Sequence, residues 1–226
     1  VDRHGLLTLD GQLNDYQSAY ARAGGDSKSW RREEDGIGLE EVVHRVRPTM
    51  LIGASSASGA FTESIVREMS AHTERPILFC LSTPAVRAEA TPANLIAWTD
   101  GRGLIATGCP FAPVTYKGVT YVIAQVNNAM LYPGLGLGVI VSRARLISEG
   151  MFAAAASAVS SLVTVRQPGA SLLPHIDDLR SVSMTVAVAV AEAADAEGLA
   201  RVKLGDVVQQ VQDAMWQPNY RSIHAT

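Results

Sequence analysis

Arg47-Pro-Thr-Met-Leu-Ile-Gly-Ala-Ser-Ser-Ala-Ser-Gly-Ala-Phe-Thr62 is the stretch that decides the fold of this chain. A compact apolar run, Thr49 to Ile52, ends on Gly53, and small residues continue from there to Gly59. Thr62 is placed to cap the amphipathic stretch Phe61 to Met69, whose Phe61, Ile65, Val66 and Met69 share one side. This reads as strand, loop, helix. Upstream, Leu39, Val42, Val43 and Val46 have the three-four spacing of a helix face that Pro48 ends. Downstream come a buried-looking strand at Pro76 to Leu81, a short helix at Pro92 to Trp98 and a strand at Leu104 to Thr107. Strands and helices that alternate with short joints imply right-handed crossovers and a parallel sheet of the α/β class. Thr115-Tyr116 and Thr120 to Ile123 flank Lys117-Gly118 as a small hairpin.

From Tyr132 onward the pattern is helical, over roughly 133–146, 148–164, 175–196 and 204–216. Breakers at Gly150, Pro168-Gly169, Pro174 and Gly198 separate these segments. The mostly Ala and Ser stretch Gly150 to Val165 reads as a helix that packs closely on a neighbour. Gly24 to Gly38, with Arg31, Arg32, Glu33, Glu34 and Asp35, reads as an exposed loop with a solvated charge run.

With 226 residues, 47% hydrophobic and 18% charged, the chain can fill a core and is no disordered segment. Its 19 basic against 22 acidic side chains leave a formal charge of -3, without the footprint of a nucleic-acid binder. Two cysteines, Cys80 and Cys109, are too few for a disulfide scaffold and suit a reduced, cytoplasmic setting. The opening Val-Asp-Arg-His has neither Met nor a basic-then-apolar leader, which suggests no signal peptide and a piece of a longer chain. The uncharged run Gly118 to Ser142 is interrupted by Gln125, Asn127, Asn128 and Pro133, so no membrane helix is expected there.

Open parallel sheets bind ligands beyond the carboxyl ends of their strands. Asp2 stands where an acid could bond the ribose hydroxyls of a dinucleotide, although an acid at a strand end is more often a turn former. Gly53-Ala-Ser-Ser-Ala-Ser-Gly59 offers either a close backbone approach to a ligand or a plain connector. In Leu81-Ser82-Thr83-Pro84 the hydroxyls could donate to a carboxylate or carboxamide, or cap the turn. Gln125-Val-Asn-Asn128 sits in an apolar run, and unpaired buried amides cost about 1–3 kcal/mol per group. That favours a polar ligand slightly over a loop closed on its own backbone. The five histidines show no metal-like spacing, and Gly108-Cys109-Pro110 lacks the context of a nucleophile.

Together these segments resemble the carboxyl-terminal part of malic enzymes, malate oxidoreductases that decarboxylate oxaloacetate. The matching blocks are Val1-Asp-Arg-His-Gly-Leu-Leu7, Arg47-Pro-Thr-Met-Leu-Ile-Gly53, Gly59-Ala-Phe-Thr62 and Arg75-Pro-Ile-Leu-Phe79. Trp98-Thr-Asp-Gly-Arg102 and Ala106-Thr-Gly-Cys-Pro-Phe111 follow. The most specific are Gln125-Val-Asn-Asn128 with Tyr132-Pro-Gly-Leu-Gly-Leu-Gly138, and Trp216-Gln-Pro-Asn-Tyr220. The resemblance runs the length of the chain in order and is nearest to the bacterial NAD-linked branch.

The resemblance implies a Rossmann-like parallel sheet lacking its first βα unit, over roughly 1–126, and a helical segment, roughly 127–226, that packs on the substrate domain. It implies cofactor contacts at Asp2, Gln17, Gly53, Ala54, Ser55 and Thr83, and malate contacts at Thr83, Asn127 and Asn128. Gln17 falls where phosphate-preferring members carry a lysine, and a neutral amide favours NAD over NADP. Catalytic residues and the carboxylates for a divalent metal, Mg or Mn, are expected upstream, in the N-terminal catalytic domain of the same enzyme. The isolated chain is therefore expected to be inactive, and a homo-oligomer with no nucleic-acid or membrane partner is expected. A malolactic enzyme, or a non-catalytic nucleotide-binding module, is the alternative.

The family reads Leu-Ser-Asn-Pro where this chain has Leu81-Ser82-Thr83-Pro84. Thr83 is shorter than asparagine and lacks its amide, so weaker positioning of substrate or nicotinamide follows. Thr83→Asn in the complete enzyme is expected to raise turnover or affinity for malate in steady-state kinetics; unchanged constants would remove that role.

Overall fold

The computed structural model describes residues 1–2, 4–25, 27–31 and 36–217. Arg32 to Asp35 of the charge run, and residues 218–220 of the final matching block, lie outside the described residues. The chain divides into two compact units: one takes Val1–Val126 and Arg166–Ala170, the other Asn127–Val165 and the chain from Ser171.

In the first unit a short helix α1 (Asp15–Ser18) precedes α2 (Leu39–Val46). Then β1 (Met50–Gly53), α3 (Glu63–His72), β2 (Ile77–Cys80), α4 (Pro92–Trp98) and β3 (Leu104–Thr107) alternate. The hairpin β4 (Val114–Tyr116) and β5 (Val119–Tyr121) leads to β6 (Ala124–Gln125). The four strands β1, β2, β3 and β6 pair in that order, all parallel, as the alternating pattern implies. The helices start and stop where local chemistry tells them to. Arg47 ends α2 in a left-handed conformation (φ 49°), one residue before Pro48. Thr62 Oγ1 accepts from Ile65 N at 3.4 Å, and Thr91 Oγ1 from Asn94 N at 3.3 Å ahead of Pro92. Arg102 closes the far end of α3 by donating to the carbonyls of Ser70, Thr73 and Glu74 at 2.7–3.2 Å. Val43, Phe61, Val66, Met69, Leu78, Leu95 and Ile96 fill the core. In the hairpin, Lys117 and Gly118 both take positive φ, the geometry a two-residue turn between twisted strands requires.

The second unit holds α5 (Tyr132–Ser142), α6 (Glu149–Ser161), α7 (Leu179–Ala196) and α8 (Val207–Ala214). Among the described residues no helix is long and apolar enough to cross a membrane. The uncharged run Gly118 to Ser142 is split among β5, β6, a 3₁₀ turn at Asn128–Met130 and α5. Met130, Leu135, Met151, Ala155, Val159, Val182, Val186 and Val190 make a separate core. Its closeness comes from small residues. A methyl group on Gly134 would stand 2.5 Å from Val186 Cβ, and one on Gly138 would stand 2.7 Å from the Ala187 carbonyl oxygen. Gly136, between them, has nothing within 4 Å of such a methyl. Ile140, Leu146, Ile147, Phe152 and Leu162 of this unit are exposed.

This contrast is measurable. Gly138→Ala is expected to destabilise by about 1–3 kcal/mol through overpacking against α7. Gly136→Ala should stabilise by about 0.5–1 kcal/mol, because alanine is the better helix former and meets no neighbour. Urea midpoints that move the same way for both variants would contradict the packing.

Candidate functional site

The register of the sheet sets Gly53, Cys80, Thr107 and Gln125 side by side in one row. The loops that follow therefore leave from one edge, the carboxyl edge at which open α/β sheets bind ligands. Pairing continues one residue further: Leu81 N donates to Gly53 O at 2.8 Å, Gly108 N to Cys80 O at 2.9 Å, and Val126 N to Thr107 O at 2.8 Å. Gly108 is tight against this edge, since a Cβ there would lie 2.1 Å from Leu81 O. Gln125 Nε2 reaches Gly108 O at 3.4 Å, and Cys109 Sγ lies 3.8 Å from Ser82 O.

A buried carboxylate ties the first two loops together. Glu89 is fully buried, and its Oε1 accepts from Ser55 N and Ser55 Oγ, each at 2.9 Å, and from Ser82 Oγ at 2.5 Å. Ser82 Oγ in turn accepts from Ser56 N at 2.8 Å. The backbone adds Phe61 N to Glu89 O at 3.1 Å and Gly59 N to Ala88 O at 3.4 Å. Ser56 is held at φ 58°, a left-handed conformation that costs a non-glycine residue about 1–2 kcal/mol. Burial pushes the Glu89 carboxyl up, but the hydrogen bonds from Ser82 and Ser55 outweigh it and hold the group below the usual carboxylate range. Next to it, burial and the Glu89 charge push the Cys80 thiol up to about 12, against a smaller opposing effect of the Ala90 backbone, so Cys80 is an inert core residue.

This carboxylate was not among the residues singled out from the sequence. The available signal was a lone acid between two alanines, Ala88-Glu89-Ala90, directly ahead of the Thr91-Pro92 cap. One suggestion from the sequence, that hydroxyls after β2 donate to a carboxylate, is met by the protein's own Glu89 through Ser82.

Gly53 has an internal reason to be glycine. A Cβ there would lie 2.6 Å from Glu89 Cγ and 2.8 Å from the Phe61 ring, so the residue makes room for its own core. The Ser55 hydroxyl is likewise turned inward, donating to Glu89 and accepting from Ala57 N at 3.1 Å. Ala54 and Thr83 are exposed at the same edge. Asp2 forms an isolated bridge with Gly5 and accepts from His4 N at 2.8 Å, a turn-forming use of an acid. Gln17 reaches it directly, Gln17 Nε2 donating to Asp2 Oδ2 at 3.1 Å while Gln17 Oε1 accepts from Asn14 N at 2.9 Å. Both ends of that amide are committed within the protein. Asn127 and Asn128 follow β6 but are exposed, not buried as the apolar run suggested. Asn127 Oδ1 accepts from Ala129 N at 2.9 Å and closes its own turn.

Comparison with known proteins gives the family and the fold. The family model described as malic enzyme, NAD binding domain, matches residues 1–195. The NAD-dependent malic enzyme 3 of Bacillus subtilis is 53% identical over 228 residues, covering 100% of this chain and 40% of that protein. The NAD-dependent malic enzyme of Sodalis glossinidius is 45% identical over 229 residues, with the same coverage of 100% and 40%. The chain thus spans about 40% of the length of these relatives. Among solved structures, the malic enzyme of Entamoeba histolytica shares the fold with a TM-score of 0.68 at 23% identity, over 95% of this chain and 40% of that one. The malic enzyme of Pyrococcus horikoshii gives a TM-score of 0.59 at 26% identity, over 77% and 36%.

The Glu89 carboxyl predicts an acid sensitivity of definite sign. Its value in the folded state lies below the ordinary 4.5, so it contributes stability above about 4.5 that is lost as pH falls toward the folded value. The melting temperature should drop more steeply below that pH in the wild type than in Glu89→Gln, where the group no longer titrates. Parallel curves would show that Glu89 carries no linked proton.

Proposed function

The chain belongs to the malic enzyme family, and from that premise we propose that the whole protein oxidises malate with NAD and decarboxylates the product to pyruvate and CO2. The observation that carries this reading is the row Gly53, Cys80, Thr107, Gln125, which delivers four loops to one edge of a parallel sheet. The residues from Ala54 to Gly59 are small and exposed, so they fit a ligand lying on their backbone. Bound NAD supplies the hydride acceptor for C2 of malate.

The chain's own residues bind and orient. Asp2 offers carboxylate lone pairs to ribose hydroxyls, each oxygen retaining acceptor capacity beyond its bonds to His4 and Gln17. Gln17 acts through Asp2: it fixes that carboxylate and, being neutral, provides no cation for a 2′-phosphate, which favours NAD over NADP. Ala54 and Ser55 present backbone to the cofactor, and Thr83 presents its hydroxyl to cofactor and malate. Asn127 and Asn128 offer amides to malate. Among the described residues no cluster of three His, Cys, Asp or Glu could hold a metal ion. Mg or Mn, with the proton-transfer groups, is assigned to an N-terminal catalytic domain of the same enzyme. We further assign residues 1–126 to the cofactor and 127–226 to packing on that domain, in a cytoplasmic homo-oligomer. The exposed Ile140, Ile147 and Phe152 support a covered face.

The test is the full-length protein with malate, a divalent metal and either dinucleotide. NADH and pyruvate should form in equal amounts, with NADP at least about tenfold less effective in kcat/KM. Lactate without net NADH would identify malolactic chemistry instead, and NAD binding without turnover a non-catalytic module.

A further inference from the structure

We propose that Glu89 is a positioning residue for the dinucleotide: it holds the loops after β1 and β2 in the one arrangement that lets both meet the cofactor. This rests on the reading that NAD lies along those loops. Glu89 itself is fully buried and acts only through others. Its Oε1 gathers the Ser55 amide and hydroxyl from one loop and the Ser82 hydroxyl from the next. Ser82 passes the connection back to Ser56, whose left-handed backbone needs such a restraint. A chain of hydrogen bonds therefore runs Ser56, Ser82, Glu89, Ser55 and closes across two strand ends.

Stability alone does not account for the arrangement. Glu89 Oε2 is buried with no hydrogen-bond partner among the described residues, so half of the carboxylate's acceptor capacity is unused. A buried charge left half satisfied is a poor stabiliser beside an apolar side chain of equal volume. What the carboxylate supplies, and an apolar group cannot, is a single acceptor point shared by two loops. Gly53 belongs to the same device, since any side chain there would displace Glu89. Thr83 is joined to Ser82, so the exposed residue next to the proposed nicotinamide inherits its placement from the knot.

The experiment uses the full-length protein with Glu89→Gln, Ser82→Ala and the double variant. It reads KM for NAD, KM for malate, kcat, melting temperature and NADH binding by fluorescence. Glu89→Gln keeps the size and one acceptor but weakens all three bonds. It should raise KM for NAD and the NADH dissociation constant about tenfold, the equivalent of one lost charged hydrogen bond, while the melting temperature at neutral pH falls by a few degrees with the loss of the ionised carboxylate. KM for malate should rise less than KM for NAD, because only Thr83 links the knot to malate. Ser82→Ala should move the same constants in the same direction, and the double variant should be no worse than Glu89→Gln, because both break one linkage. A folded Glu89→Gln protein with wild-type NAD and NADH constants overturns the proposal. Should that variant not fold, Ser82→Ala decides alone, and unchanged constants there overturn it equally. Wild-type protein that binds no NADH would instead sink the functional reading itself.

Discussion

Parallel pairing in register is the constraint from which the rest follows. Because Gly53, Cys80, Thr107 and Gln125 share one row, every crossover must start at the same edge and return behind it. The helices that make those returns cover the sheet, which explains why β2 and β3 are largely apolar along their length. It also concentrates polar demand at one place. Strand-end loops bring unpaired backbone groups together, and the molecule answers with a buried acceptor whose partners come from two of them. Fold and site are thus two readings of one ladder.

Much of this was legible beforehand, for reasons that differ by element. β1 and β3 show as short apolar runs closed by small or polar residues, and α4 is bounded by Thr91-Pro92 and Thr99, all short-range signals. The hairpin announces itself in Lys117-Gly118. α1 is not legible in the sequence, because its four residues are too few and too polar to set up a periodicity. Site residues were harder, because their partners are distant in sequence. Ser55 and Glu89 are 34 positions apart, so nothing near Gly53 indicates that its missing side chain makes room for a glutamate. Likewise Asp2 is legible as a candidate acid and Gln17 only through the resemblance, while the bond between them emerges only in three dimensions. The twin amides looked buried because their neighbours are apolar, yet a turn at Asn128–Met130 lifts them to the surface.

The two units solve packing by opposite means. The first fills its core with large side chains, Phe61, Met69, Leu78 and Leu95, around a sheet. The second brings helix backbones together over Gly134, Gly138, Ala155 and Ala187. Close packing without bulk gives up apolar area but gains dispersion contacts and a fixed helix registry.

Residues 166–170 carry a last implication. The chain leaves the first unit after Val126, returns for Arg166–Ala170, and leaves again. On that return Gly169 O accepts from Val122 N at 3.0 Å, and Gly169 packs so near Thr120 O that no side chain would fit. This neighbour of the hairpin is therefore synthesised nearly fifty residues after the hairpin itself. Cutting the chain after Val126 would remove that stitch, so the two units are interleaved in translation order.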